Sequence, residues 1–152
     1  MAQEKEEITP ARAIVLDANI LLRAVLGTRV RTLIARYADT VTLLTPRSCV
    51  DEAREYLPAL CIERGWNVVP VIELLDALLT SIHVVDNASL LEVEDDARRR
   101  IASRDPDDWP AVAVSIALNA PIWTEDGDFF GSGVATWTTI NVEMYLAKES
   151  SR

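Results

Sequence analysis

Two acidic stretches carry the residues best suited to chemistry: Asp105-Pro106-Asp107-Asp108 and Glu125-Asp126-Gly127-Asp128. Each holds three carboxylates. One set precedes a helical segment, Ala111 to Ala120, and the other follows a short apolar run, Pro121-Ile122-Trp123. In an α/β fold both can reach the crevice beyond the carboxyl ends of parallel strands, where such folds bind ligands. Asp17 ends an earlier apolar run and stands at the same kind of junction. Carboxylates gathered in one pocket repel one another strongly unless a cation sits among them. The donors are restricted to oxygen, because the chain has one histidine, His83, and two cysteines without CxxC spacing. A Cys/His zinc site would need about four such ligands. A hard divalent cation, Mg²⁺ or Mn²⁺, suits carboxylates instead.

Each acid also has a plainer use. Asp17 can cap the helix that follows it. Asp105 can cap the next helix, with Pro106 favoured inside its first turn and Asp107 and Asp108 near the positive helix end. Asp126-Gly127-Asp128 is ordinary turn chemistry. Glu52 reads as a solvated residue on a helix, His83 as a core or edge residue, and Trp109, Trp123 and Trp137 as packing residues. What singles out Asp17, Asp108, Asp126 and Asp128 is joint placement, at strand–loop or loop–helix junctions that a parallel sheet brings together.

The elements that must position these residues alternate β and α. Ala13–Leu16 and Val41–Leu44 are apolar without alternation, as strands buried on both faces are. Helical spacing follows over Ile20–Leu26, and again over Arg29–Tyr37 with Thr28 as its expected cap. Thr45-Pro46 predicts a helix start, with Thr as cap and Pro at the first helical position, running to Arg64 and ended by Gly65. Pro58 inside it predicts a kink or a division. Cys49 and Cys61 fall on this helix, ~18 Å apart, beyond the ~7 Å reach of a disulfide. Further helices are expected over Val71–Ile82, from a Ser89 cap through Arg100, and over Asn141–Ala147. Further strands are expected at His83–Val85 and Ala135–Thr138. The expectation is an α/β three-layer sandwich on a mainly parallel sheet. It forms one domain over 13–147, with polar tails at 1–12 and 148–152.

At 152 residues and 49% hydrophobic the chain is long and apolar enough for a full core. No apolar run approaches the ~20 residues of a membrane helix, and the acidic N-terminus lacks the cationic start of a secretory signal. A cytoplasmic protein is expected. The net charge of −9 opposes non-specific nucleic-acid binding. The basic residues are 13 Arg and 2 Lys, and Arg is the better bidentate partner of phosphate and carboxylate.

Leu16-Asp17-Ala18-Asn19-Ile20-Leu21 resembles the opening motif of PIN-domain nucleases. Glu52-Ala53-Arg54-Glu55-Tyr56-Leu57 resembles their helix with the second acid, and Asp105-Pro106-Asp107-Asp108 the loop with the third. Thr124-Glu125-Asp126-Gly127-Asp128-Phe129 resembles the loop with the fourth and often a fifth. The resemblance spans Ala13 to Leu146 in order and spacing. It implies a flavodoxin-like sheet and a Mg²⁺- or Mn²⁺-dependent ribonuclease working by two-metal phosphodiester hydrolysis. Asp17, Glu52, Asp108 and Asp126 would be catalytic and metal-binding, with Asp128 also a ligand and Asn19 and Thr124 supporting the ligands. Many relatives are VapC-like toxins, which implies an RNA substrate, a small antitoxin partner and a homodimer. Glu125 departs from the family, which commonly has Gly there. Other chemistries fit less well: Asn19 stands where an Asp-nucleophile phosphotransferase would place a second Asp, and a receiver's partner Lys is missing, since only Lys5 and Lys148 occur. The alternative kept open is a catalytically weak PIN-like module that binds protein or RNA.

Overall fold

The computed structural model describes residues 12–148. The expected tails lie outside the described residues, except for Arg12, which opens the first strand, and Lys148. The strands are β1 (Arg12–Leu16), β2 (Val41–Pro46), β3 (His83–Val85), β4 (Ile122–Trp123) and β5 (Thr136–Trp137). The helices are α1 (Ala18–Leu26), α2 (Arg29–Tyr37), α3 (Arg47–Arg64), α4 (Val68–Leu79), α5 (Glu94–Ile101), α6 (Trp109–Leu118) and α7 (Glu143–Leu146).

The strands form one sheet in the order β3-β2-β1-β4-β5, and every neighbouring pair is parallel. Strand side chains alternate between faces, so β1 feeds two cores. Ile14 and Leu16 join buried side chains of α1 to α4 together with Val142 and Leu146, while Val15 joins Ala97, Ile101 and the α6 residues on the other face. Covering both faces by helices gives the three-layer sandwich, and explains why β1 and β2 read as unbroken apolar runs.

Several boundaries differ from expectation. Thr45 does not cap α3: β2 continues through Pro46, and the buried Thr45 hydroxyl donates to the Leu16 carbonyl at 2.8 Å. Tertiary pairing of Pro46 with Val85 outweighs the local start signal. Pro58 does not divide α3, which runs unbroken for 18 residues. Leu57 and Cys61, both fully buried, anchor it on either side. Thr28 precedes α2 without a side-chain cap bond. α4 begins earlier than expected, because Asn67 Oδ1 accepts the Val69 N–H at 2.9 Å and Pro70 falls in the first turn, where its missing N–H costs little. Ser89 lies within a 3₁₀ turn, Asn87–Leu90, and α5 starts only at Glu94. His83 is an exposed residue at the start of the edge strand and not a core residue. Trp109 and Trp123 are buried, and Trp137 packs against Tyr145 with ring centroids 5.9 Å apart. Cys49 and Cys61 are both buried and unpaired.

The sheet order reverses between β1 and β4. The chain winds outward through β2 and β3 on one side of β1, then crosses to place β4 on the other. A crevice opens at such a switch point, beyond the strand ends. The register pairs Leu16 with Trp123, which sets the next residues, Asp17 and Thr124, side by side at its floor.

Candidate functional site

Asp17 leaves the end of β1 and caps α1, its Oδ1 accepting the Ala18 N–H at 2.8 Å. Capping and the site therefore use the same side chain. Its Oδ2 accepts the Asn19 amide at 2.7 Å and the Thr124 hydroxyl at 2.8 Å. The buried Cys49 thiol lies 3.8 Å from Oδ1. Burial raises the Asp17 pKa, and the nearby Asp126 charge adds to the rise, while the Thr124 and Ala18 hydrogen bonds pull it down. The Cys49 thiol is pushed up as well, by burial and then by the charges of Asp17 and Glu52, so it is a packing thiol and not a thiolate nucleophile.

Thr124 ties the two strand ends together. Its hydroxyl donates to Asp17 and accepts the Asp126 N–H at 2.9 Å, which turns the chain after β4 back toward the cleft. The Asn19 amide also donates to the Thr124 hydroxyl at 3.2 Å, and Asn19 Oδ1 accepts the Glu125 N–H at 3.1 Å, adding two more links between the same loops. Asp126 then organises its own 3₁₀ turn, Gly127–Phe129, with Oδ1 accepting the Asp128 N–H at 2.9 Å.

Asp17, Glu52, Asp108 and Asp126 line one cleft of ≈ 540 Å³, together with Asp51, Glu55, Asp105 and Asp107. No cationic side chain is among its described lining residues. Glu52 reaches it from α3, and its pKa is raised by partial burial and then by the charges of Asp17 and Asp105. Asp108 stands just before α6 but makes no side-chain cap bond. Its Oδ2 is buried and has no hydrogen-bond partner among the described residues. Burial, followed by the charges of Asp17, Asp105, Asp126 and Glu52, pushes its pKa up to about 8. A buried carboxylate oxygen without a donor is costly, and a cation removes that cost.

Asp128 is placed differently. It does not line the cleft with the other four; its carboxylate groups with those of Asp105 and Asp108, one oxygen from each lying within 4.8 Å of the others. Asp105, whose local sequence marks it only as a cap, does cap the 3₁₀ turn Pro106–Asp108, accepting the Asp107 N–H at 3.1 Å. It also belongs to this carboxylate group. The spacing carries the signal: in a 3₁₀ turn residues i and i+3 eclipse, which puts Asp105 and Asp108 on one side. Glu125 turns away from the acids. Its Oε2 accepts the Thr139 N–H at 2.7 Å and joins the β4 loop to the segment after β5.

The residues present fit a divalent cation. The donors are all oxygen, a buried acceptor of Asp108 lacks a partner, and the cleft holds eight acids without a counter-charge among its described lining residues.

Comparison with known proteins places the chain by sequence family and by fold. The PIN domain family model matches residues 15–147. The fold is similar to that of PAE2754 from Pyrobaculum aerophilum, with TM-score 0.70 and 16% identity, covering 92% of this chain and 100% of that one. It is also similar to that of VapBC2 from Rickettsia felis, solved bound to a DNA fragment from their promoter, with TM-score 0.65 and 15% identity over 83% of this chain and 98% of that one. FitAcB from Neisseria gonorrhoeae aligns with TM-score 0.52 and 17% identity over 84% of this chain and 98% of that one. No curated protein sequence matches the chain. By its family match and by its fold, the chain belongs to the PIN-domain family.

Proposed function

We propose that this protein is a Mg²⁺- or Mn²⁺-dependent ribonuclease that hydrolyses phosphodiester bonds and serves as the toxin of a toxin–antitoxin pair. The observation that carries the catalytic part is Asp108: a buried, unbonded carboxylate oxygen in a cleft lined by eight acids. Asp17, Glu52, Asp108 and Asp126 would hold the cation, with Asp128 reaching it through the Asp105–Asp108 side. Bound there, such a cation supplies Lewis-acid activation of water and neutralises charge on the phosphate. Asn19 and Thr124 hold Asp17 in one orientation, so its carboxylate needs little reordering on binding. The buried floor formed by Asp17, Thr124 and Cys49 keeps that carboxylate out of bulk water.

The toxin part is supported by the fold shared with VapBC2 and FitAcB. The corresponding partner of this chain would be a small antitoxin presenting a cation, best an Arg, to the acidic cleft. The protein would act in the cytoplasm as a homodimer. None of its described helices is long and apolar enough to cross a membrane.

The test is cleavage of a single-stranded oligoribonucleotide by the purified protein in chelator, Mg²⁺ and Mn²⁺, alongside Asp17→Asn. Metal-dependent cleavage lost in the variant is expected. A wild type that binds RNA but leaves it intact in both metals would favour the non-catalytic binding module.

A further inference from the structure

A second cavity, of ≈ 680 Å³, opens beside the acidic cleft and shares Asn19 and Leu22 with its wall. Its charge is the opposite. Arg23, Arg29 and Arg64 line it, and no acidic residue is among its described lining residues. Elsewhere the guanidinium groups are largely matched to carboxylates: Arg36 to Glu143, Arg47 to Asp86, Arg54 to Asp76, Arg98 to Glu94 and Arg100 to Asp96. In this cavity only Arg29 has such a match, to Glu143 at 3.3 Å in an exposed pair. Arg64 donates to the Leu60 carbonyl and lies over the Trp66 ring. The Arg23 guanidinium makes no hydrogen bond or ion pair among the described residues.

Arg23 and Arg64 each sit in the last turn of a helix, where a cation is favourable. That accounts for each alone. It does not account for two helix ends from distant parts of the chain converging, with Arg29, on one cavity next to a cleft of eight acids. A cleft so charged, in a chain of net charge −9, repels a polyanion, and a substrate strand needs cations on at least one side of the reacting bond. Guanidinium groups match phosphate oxygens in bidentate geometry. No aromatic side chain is among the described lining residues, whose apolar part is aliphatic, as with Leu26 and Val30. Such a wall offers backbone contacts and not base stacking.

We propose that this cavity binds a backbone phosphate of the single-stranded RNA whose scissile bond lies in the acidic cleft, an assignment that rests on the nuclease reading above. Arg23 and Arg64 hold that phosphate, and the strand crosses from one cavity to the other over Asn19 and Leu22. Interactions of this kind position the strand without reading its sequence.

The test compares wild type, the Arg23→Gln/Arg64→Gln double variant, its Lys counterpart, and Arg54→Gln, a partly exposed control outside both cavities. Steady-state cleavage of a labelled single-stranded oligoribonucleotide is followed in Mn²⁺ across a KCl series, with thermal melts of every protein. The double variant is expected to raise KM about tenfold, with the loss falling on KM rather than kcat. The slope of log KM against log salt should drop by about 0.7 for each phosphate that the variant no longer neutralises. The Lys counterpart should recover much of the slope, since it keeps the charge. If the double variant does not fold, the exposed Arg23→Gln carries the same comparison. Wild-type values of KM and slope in the Gln variant, from a wild type that cleaves, overturn the phosphate site and leave the nuclease reading standing. A wild type that neither cleaves nor binds RNA overturns both. Unchanged RNA kinetics together with loss of a co-purifying acidic protein overturns the site and assigns the cavity to that protein.

Discussion

The Thr124 hydroxyl donates to Asp17 Oδ2 at 2.8 Å across a sequence separation of 107 residues. The bond joins the ends of β1 and β4 and fixes the floor of the acidic cleft. The same oxygen of Thr124 accepts the Asp126 N–H, so one side chain orients two acids. Thr124→Val keeps the shape and removes these two bonds and the one Thr124 accepts from the Asn19 amide at 3.2 Å, leaving Asp17 Oδ2 with Asn19 alone. We expect a loss of about 1–3 kcal/mol in stability and about 10- to 100-fold in metal affinity or activity. Urea melts and Mn²⁺ titrations of the variant measure both; Thr124→Ser, which retains the hydroxyl, should recover most of each.

Asp17→Asn, Asp108→Asn and Asp126→Asn are each expected to lower metal-dependent cleavage by about a hundredfold or more while the protein still folds. Asp105→Asn should matter less, because Asn also accepts the Asp107 N–H. Since its carboxylate lies with those of Asp108 and Asp128, it should still raise the Mn²⁺ concentration needed for half-maximal activity. Equal damage from Asp105→Asn and Asp108→Asn would show that the two carboxylates have equal roles.

The Asp108 carboxyl gives the metal-free protein a defined pH dependence. Its pKa in the folded protein is raised to about 8, so the folded state holds this proton more tightly than the unfolded chain does. Its penalty is absent below the ordinary carboxylate range, grows as pH rises from about 4, and is complete above about 8. Stability in chelator should therefore fall across that window. In Asp108→Asn the fall should be shallower. Parallel stability–pH curves for the two proteins would place the strain elsewhere.

Mn²⁺ binding only to the folded state should stabilise it by about 2.7 kcal/mol at one hundred times the dissociation constant. Removing one repelling charge should relieve the apo protein and weaken that gain together. Asp126→Asn is thus expected to melt no lower than wild type in chelator, yet to show a smaller rise on adding Mn²⁺. Identical metal-induced shifts in both proteins would remove Asp126 from the site.

Glu125 bonds the Thr139 backbone N–H at 2.7 Å. Its role is to hold the segment after β5, so Glu125→Gln should be nearly silent and Glu125→Gly should cost about 1 kcal/mol with little effect on metal affinity. A gain in Mn²⁺ affinity in Glu125→Gly would instead show that this carboxylate perturbs the site.

Much is legible in the residue order. Unbroken apolar runs at β1 and β2 require strands covered on both faces, and alternation with helical segments then requires a parallel sheet. One histidine and no CxxC leave oxygen as the donor, and placing Asp17 and Asp126 just after strands aims both at one sheet edge. The tertiary structure decided the rest, because it depends on where side chains from distant segments meet. Thr45 carries a strong cap signal, yet its hydroxyl serves Leu16 on the next strand. Asp105 reads locally as a cap, and only the 3₁₀ turn and the loop after β4 bring it to Asp108 and Asp128. Glu125 stands among acids in sequence but bonds Thr139 away from them. Arg23 and Arg64 look like ordinary helix-end cations until α1 and α3 pack and set them in one cavity. Local signals report the backbone preference of a few residues, whereas burial, register and side-chain direction arise only when the strands and helices close on each other.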